Sequence, residues 1–213
     1  MSLLVKKVKN ANWKASELSE AFDNANIPFQ PVSYVNWPEY PYKPDVKFRI
    51  AHNGNTIFLN YQVEESDIKA VCNEDNGKVW EDSCVEFFVT FDGEPFYYNV
   101  ECNCIGNVLI GAGAGRQDRK PIPAEYLNRI DRWSSLGNLP VQDKSGKWEV
   151  SLVIPKEVFM FDKLDSLAGL PAKGNFYKCG DKLKVPHFLS WNPIQSEHPD
   201  FHLPHYFGDL LFE

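Results

Sequence analysis

The sequence has no apolar run long enough to cross a bilayer, and Met1 to Asn10 lacks the hydrophobic stretch of a secretory leader. The chain is therefore expected to be either cytoplasmic or a mature form whose leader has been removed. It has no basic surplus: 22 Lys and Arg stand against 29 Asp and Glu, a net charge of -7, which argues against nucleic acid and anionic membranes as partners. Its five cysteines are an odd number, and a chain of 213 residues can bury a sizeable core, so a disulfide framework is not expected. With only Met1 and Met160 there is little material for haem held by a Met/His pair. No internal repeat or low-complexity tract is present. The acidic stretch with Glu64, Glu65, Asp67, Glu74 and Asp75 lacks EF-hand spacing. The run Gly111-Ala-Gly-Ala-Gly115-Arg116 is neither of the glycine-rich phosphate motifs and has no βαβ unit around it.

What the chain has in quantity is aromatic residues, 14% of the total. The most informative stretch is Val79 to Phe91, V-W-E-D-S-C-V-E-F-F-V-T-F. Val85, Phe87, Val89 and Phe91 share one face of a strand, and Cys84, Glu86, Phe88 and Thr90 the other. The odd face reads as core, and Glu86 belongs on the even face because an unpaired buried charge is costly. Trp80 stands at the strand's mouth. An indole with a carboxylate six residues on suits a ligand that has both an apolar face and hydroxyl groups. The alternative is a core tryptophan beside a solvated glutamate.

The other elements are short. Leu18, Ala21 and Phe22 suggest a helix within Trp13 to Phe22. Ile27 to Pro44 interleaves five prolines with aromatics, which excludes helix and central strand, so residues 1–45 are expected to include an extended proline-rich arm wrapping the core. Val46 to Ile50 and Thr56 to Val63, joined through Asn53-Gly54, form a predicted hairpin. Val63 to Lys78 reads as an exposed acidic loop, and Asp92-Gly93-Glu94-Pro95 as a turn. In the strand Phe96 to Ile105, Val100, Cys102 and Cys104 face the core, and Asn99, Glu101 and Asn103 form a polar ladder beside Glu86. A helix is expected over Ala124 to Trp133, a strand over Lys147 to Ile154 followed by one helical turn, and last strands at Asn175 to Cys179, Phe188 to Trp191 and Gly208 to Phe212. The sum is an all-β, antiparallel β-sandwich of jelly-roll or immunoglobulin-like kind with two or three short helices, in one domain spanning 1–213.

V-W-E-D-S-C-V-E-F-F, together with the closing Phe201-His202-Leu203-Pro204 and Phe207-Gly208, resembles the family 9 carbohydrate-binding modules, in particular the stand-alone family-9-like proteins of Bacteroidetes. The similarity spans roughly Val46 to Glu213. The resemblance implies a β-sandwich that grips a sugar between two aromatics, with Trp80 matching the first and Phe201 falling where the second, a tryptophan in the best-known modules, would stand. Glu86 matches a polar contact. By looser alignment Asn99, Lys178 and His198 replace an arginine, a glutamine and an asparagine, so the sugar preference does not transfer; Glu101 and His202 complete the expected polar set. The resemblance also implies an extracytoplasmic oligo- or polysaccharide binder that acts alongside glycoside hydrolases without being one. No cofactor is expected; some members bind structural calcium, but this sequence shows no ligand set for it. Two rivals stand beside this reading. Glu86 and Glu101 could form a glycosidase pair if they lie about 5 to 9 Å apart, although open-faced carboxylates would lack the raised pKa of a general acid. His198, His202 and His205 could mark a metal or haem module, although Pro199 and Pro204 oppose the helical turn this would require.

Overall fold

The computed structural model describes residues 1–91, 93 and 95–213. Its strands, in chain order, are β1 Ser2–Lys7, β2 Gln30–Pro31, β3 Tyr34–Val35, β4 Asp45–His52, β5 Thr56–Ala70, β6 Cys84–Thr90, β7 Tyr97–Asn103, β8 Val108–Gly113, β9 Lys120–Pro121, β10 Asp131–Ser134, β11 Val141–Pro155, β12 Pro171–Cys179, β13 Phe188–Ser190 and β14 Gly208–Phe212. The helices α1 Leu18–Asn24 and α2 Ala124–Leu127 are short. The strands hydrogen-bond along one curled path, β10-β11-β5-β4-β1-β14-β12-β6-β7-β8-β9. The hinge of this path is β1, whose Ser2 to Val5 pair with β14 while Lys6 and Lys7 pair with β4, both in parallel. The other pairings are antiparallel, so the fold is a β-sandwich whose two sheets share one parallel strand.

Between the sheets lies the largest apolar cluster, supplied by the faces that alternation assigns to it. Phe48 of β4 stacks on Phe176 of β12 at 3.7 Å between ring centroids, and Phe176 stacks on Phe87 of β6 at 4.8 Å. Burying each of these rings is worth about 1.5–3 kcal/mol relative to leaving it exposed. Cys102 and Cys104 lie in this core, as their parity with Val100 indicates. A smaller cluster of Leu18, Phe22, Ile27, Ala51 and Phe58 packs α1 on the outer face of the sheet holding β4 and β5. A further one covers the outer face of β6, β7 and β12 with Trp37, Tyr177, Phe201 and Phe207 among its members.

The β4–β5 hairpin has the expected register, from Asp45 opposite Glu64 to His52 opposite Ile57. Gly54 takes a φ of 99°, and the Asn53 side chain accepts hydrogen bonds from the Asn55 and Thr56 amides. Three other segments depart from expectation. The acidic run after Val63 is a loop only in its second half, 71–78: before that β5 continues to Ala70 against β11, and Val63, Glu65 and Asp67 point inward. Glu65 is fully buried because Lys178 Nζ lies 2.9 Å away and the Trp148 indole donates to it at 2.7 Å. The segment Ala124 to Trp133 is helical only to Leu127 and then becomes β10, which pairs with β11. Residues 1–45 are more than an arm, since they hold β1 and α1, and only β2 and β3 fit the extended wrapping role, against β4 and β13. Within that arm Trp37 is buried and donates to the Ser196 carbonyl at 3.0 Å. The turn expected at 92–95 lies in part outside the described residues.

Candidate functional site

The outer face of β6, β7 and β12 carries the polar residues that period-2 alternation removes from the core. Across these strands Glu86 stands between Tyr177 and Glu101, Cys84 between Cys179 and Asn103, and Phe88 between Asn175 and Asn99. This face is the floor of a cleft of about 300 Å³, bordered among others by Trp80, Glu86, Asn99, Glu101, Cys179, Phe201 and His202. That volume is at the small end of ligand sites, roughly 300–1,000 Å³.

Trp80 sits on a 3-10 turn, Val79–Glu81, with its side chain half-buried against the aromatic cluster. The turn is tied down by Asp82, whose carboxylate accepts the Val71 and Cys72 amides at 3.0 Å each and the Asn103 side chain at 3.1 Å. On the opposite wall Phe201 lies flat on Tyr177, with centroids 4.1 Å apart and planes 7° apart, and Trp37 braces it at 6.0 Å. The proline-rich arm thus holds up one wall of the cleft. Phe201 is only 8% exposed, so it is as much a packing residue as a surface. His202 hydrogen-bonds the Tyr97 hydroxyl through Nδ1 at 2.8 Å, and burial pushes its pKa down to about 3, leaving it neutral.

The floor is held by Arg119. Its guanidinium lies 4.2 Å over the Tyr97 ring, donates to the Asn99 side-chain oxygen at 2.6 Å, and reaches the Tyr97 and Gly111 carbonyls at 2.9 and 3.0 Å. Gly111 makes this approach feasible, because a Cβ there would come within 2.9 Å of the Asn99 oxygen. With its oxygen occupied, the Asn99 amide donates to Glu101 Oε1 at 2.8 Å. Glu101 Oε2 is buried and, among the described residues, has no hydrogen-bond partner. Glu86 is 4% exposed and accepts the Cys179 thiol at 3.0 Å.

Burial pushes Glu101 up to about 7, and burial together with the neighbouring Glu101 carboxylate raises Glu86 well above the usual carboxylate range. Asp181, at the cleft's edge, is raised by burial to about 6. Glu86 is thus on the even face as expected, but it is neither solvated nor open-faced, and that objection to a general acid falls away. The aromatic roof over this face, assembled from distant loops, is what desolvates it.

Six of the eight sequence-predicted residues border the cleft: Trp80, Glu86, Asn99, Glu101, Phe201 and His202. Two do not. Lys178 pairs in register with Val85 and therefore faces the interior, where it meets Glu65 and, at 2.8 Å, His187. The alternation that placed Glu86 outward places Lys178 inward. His198 lies in the loop beyond β13 with its side chain 82% exposed. His205 lies at a tilt against Tyr206, and among the described residues the three histidines form no common ligand cluster. The sequence reading missed Arg116, Arg119, Asp181 and Phe188, which also border the cleft. The one local signal was the glycine run before the arginines, which leaves room for Arg119 rather than for a phosphate.

The family model for carbohydrate-binding family 9 matches residues 16–212. The chain belongs to carbohydrate-binding family 9. A crystal structure of a candidate carbohydrate-binding protein from Bacteroides uniformis is 50% identical, with a TM-score of 0.96 over 100% of this chain and 99% of that one. Two family 9 modules from Caldicellulosiruptor kristjanssonii share the fold at low identity. The one in complex with glucose has a TM-score of 0.65 at 12% identity, covering 100% of this chain and 96% of its own. The one in complex with cellotriose has 0.63 at 10%, covering 100% and 94%. No curated protein matches.

Proposed function

We propose that the cleft over β6 and β7 binds a sugar residue of an oligo- or polysaccharide without cleaving it, with Trp80 and Phe201 as apolar walls. The observation that carries this reading is the buried, unpartnered Oε2 of Glu101 on the floor of an aromatic-walled cleft. A pyranose offers an apolar C–H face to an indole and hydroxyl donors to a carboxylate. Protonated Glu86 supplies a donor where an ionised carboxylate would only accept, so the raised carboxyls serve sugar hydroxyls in both senses. The glucose- and cellotriose-bound relatives support β-glucose units as first ligands to test. Calorimetric titration of glucose and cellotriose into the intact protein should give saturable binding that Trp80→Ala weakens. The absence of heat with these and with a broad glycan panel would refute the reading.

The pairing of Glu86 directly opposite Glu101, both buried, favours one second reading, a glycosidase carboxyl pair. Release of reducing sugar from a glycan that binds, lost in Glu86→Gln, would establish it. We infer binding alone, because the chain belongs to carbohydrate-binding family 9, and Asn99, its own oxygen occupied by Arg119, holds Glu101 Oε1 in a hydrogen bond.

A further inference from the structure

Two thiols on the cleft floor have no use in holding a sugar. Cys84 and Cys179 are cross-strand partners on the same outward face, and Glu86 follows Cys84 on that face one pleat along. One ligand atom from each, two Sγ and a carboxylate oxygen, all lie within 4.8 Å of one another. Among the described residues no other set of three or more His, Cys, Asp or Glu groups is so arranged. We propose that Cys84, Cys179 and Glu86 form a binding site for a thiophilic divalent cation, zinc by coordination preference, at the bottom of the cleft.

Ligand type argues for the softness of the ion. Two sulfurs and one carboxylate disfavour calcium and magnesium, which take oxygen ligands, and suit zinc, which takes sulfur and carboxylate oxygen. The geometry argues for the size of the shell. Bonds of about 2.3 Å to sulfur and about 2.0–2.2 Å to oxygen at tetrahedral angles put such ligands roughly 3.5–3.8 Å apart. Cys179 Sγ and Glu86 Oε1 are already 3.0 Å apart, and the outer bound of 4.8 Å leaves side-chain rotation as the only adjustment required. The backbone is preset by the paired strands. Cys179 and Glu86 border the cleft, so a fourth position would open toward it, where water or a ligand oxygen completes the tetrahedron. Glu101, directly across from Glu86, carries the unpartnered oxygen that can accept from such a water.

Binding is a proton exchange. The free thiols are protonated, since burial pushes Cys84 up to about 12, and the hydrogen bond with Cys84 together with burial raises Cys179 well above the ordinary thiol range. The ion enters as each thiol, and the Glu86 carboxyl with them, gives up its proton to solvent, so two thiolates and one carboxylate face the divalent ion. The ion site shares Glu86 with the proposed sugar site, but its test needs no sugar.

The reduced, metal-free full chain is titrated with cobalt(II), which reports thiolate ligation as an intense near-ultraviolet charge-transfer band. A single ion should bind per chain, with that band and with proton release seen as buffer-dependent heat, and zinc should displace it. Zinc should also slow alkylation of Cys179 in the wild type, a readout that requires no variant. Cys84→Ser and Glu86→Gln, checked for folding by circular dichroism, should each weaken the ion by more than the roughly 10- to 100-fold typical of outer-shell substitutions. A reduced wild-type protein that binds cobalt without the thiolate band, or not at all, overturns the proposal. So does a Cys84–Cys179 disulfide that resists reductant, or a folded Cys84→Ser with unchanged affinity. Sugar titration of the metal-free protein is read separately, so loss of the ion site and loss of the sugar site are distinguishable outcomes.

Discussion

Phe201→Ala asks whether a cleft wall is also part of the core. The ring is 8% exposed and lies flat on Tyr177 at 4.1 Å, with Phe188 edge-on at 6.2 Å and Trp37 at 6.0 Å. Truncating a buried phenylalanine costs about 3–5 kcal/mol, and a stacked pair contributes about 0.5–1.5 kcal/mol beyond its area. Because the hole opens on the cleft and water can fill it, the low end applies, about 3 kcal/mol. At roughly 2–4 °C per kcal/mol for a chain of this size, the melting temperature should fall by about 6–12 °C. Urea unfolding should show a lower midpoint with an unchanged slope. Sugar affinity should fall as well. A reading of Phe201 as a free-standing platform forecasts lost affinity at full stability, so a melting temperature within about 2 °C of wild type would refute the packing argument.

Trp80→Ala should behave differently, since the indole is half-buried on a turn that Asp82 and Val79 hold: affinity for a bound sugar should drop by about 1–3 kcal/mol, roughly 5- to 150-fold, with a smaller change in melting temperature than Phe201→Ala gives. Glu101→Gln should be stabilising above neutral pH and near-neutral at pH 5. The folded-state pKa of about 7 exceeds the ordinary glutamate value of 4.5, so the stability linked to this carboxyl is fully present below about 4.5 and is lost as pH rises through 7, by an order of 3 kcal/mol that glutamine does not lose. Melts at both pH values check this, and a larger gain at pH 5 would reverse the sign. Lys178→Met should strand Glu65 in the interior and cost roughly 3–5 kcal/mol, which Glu65→Gln added in cis partly restores, while sugar affinity is retained. Calorimetric loss of affinity with unchanged stability would return Lys178 to the cleft.

The parts of this molecule that were legible in the sequence are those written in period 2. The alternation of β6 and β7 gave the core face, the polar ladder and the position of Glu86, and Asn53-Gly54 gave the hairpin. What was not legible came from contacts between distant segments. The acidic run in β5 reads as a loop because its charges are visible and their partner, Lys178, is more than a hundred residues away. The strand β1 is a plain hexapeptide whose role as hinge depends on β14 and β4. Desolvation of Glu86 and Glu101 needs the roof that Trp37, Phe188 and Phe201 build, and no local pattern announces it. Arg119 was hidden for the same reason: apart from Asn99 and the Tyr97 ring its partners are backbone carbonyls, which every sequence has. Lys178 was a different kind of miss, since its alternation with Phe176 and Tyr177 already placed it inward and only the looser family alignment placed it in the cleft.

The central claim is a place, the cleft over Glu86 and Glu101, and indole N–H resonances read it directly. The chain has six tryptophans, and Trp80→Phe assigns the signal that matters. Trp148 borders a separate groove of about 330 Å³ on the other sheet, with Asp45, Lys47 and Glu149, and serves as the internal comparison. On titration with cellotriose, or with the best binder from a glycan panel, the Trp80 indole signal should shift saturably while the Trp148 signal stays in place. Saturable binding that moves Trp148 and leaves Trp80 unmoved would contradict the assignment of the cleft.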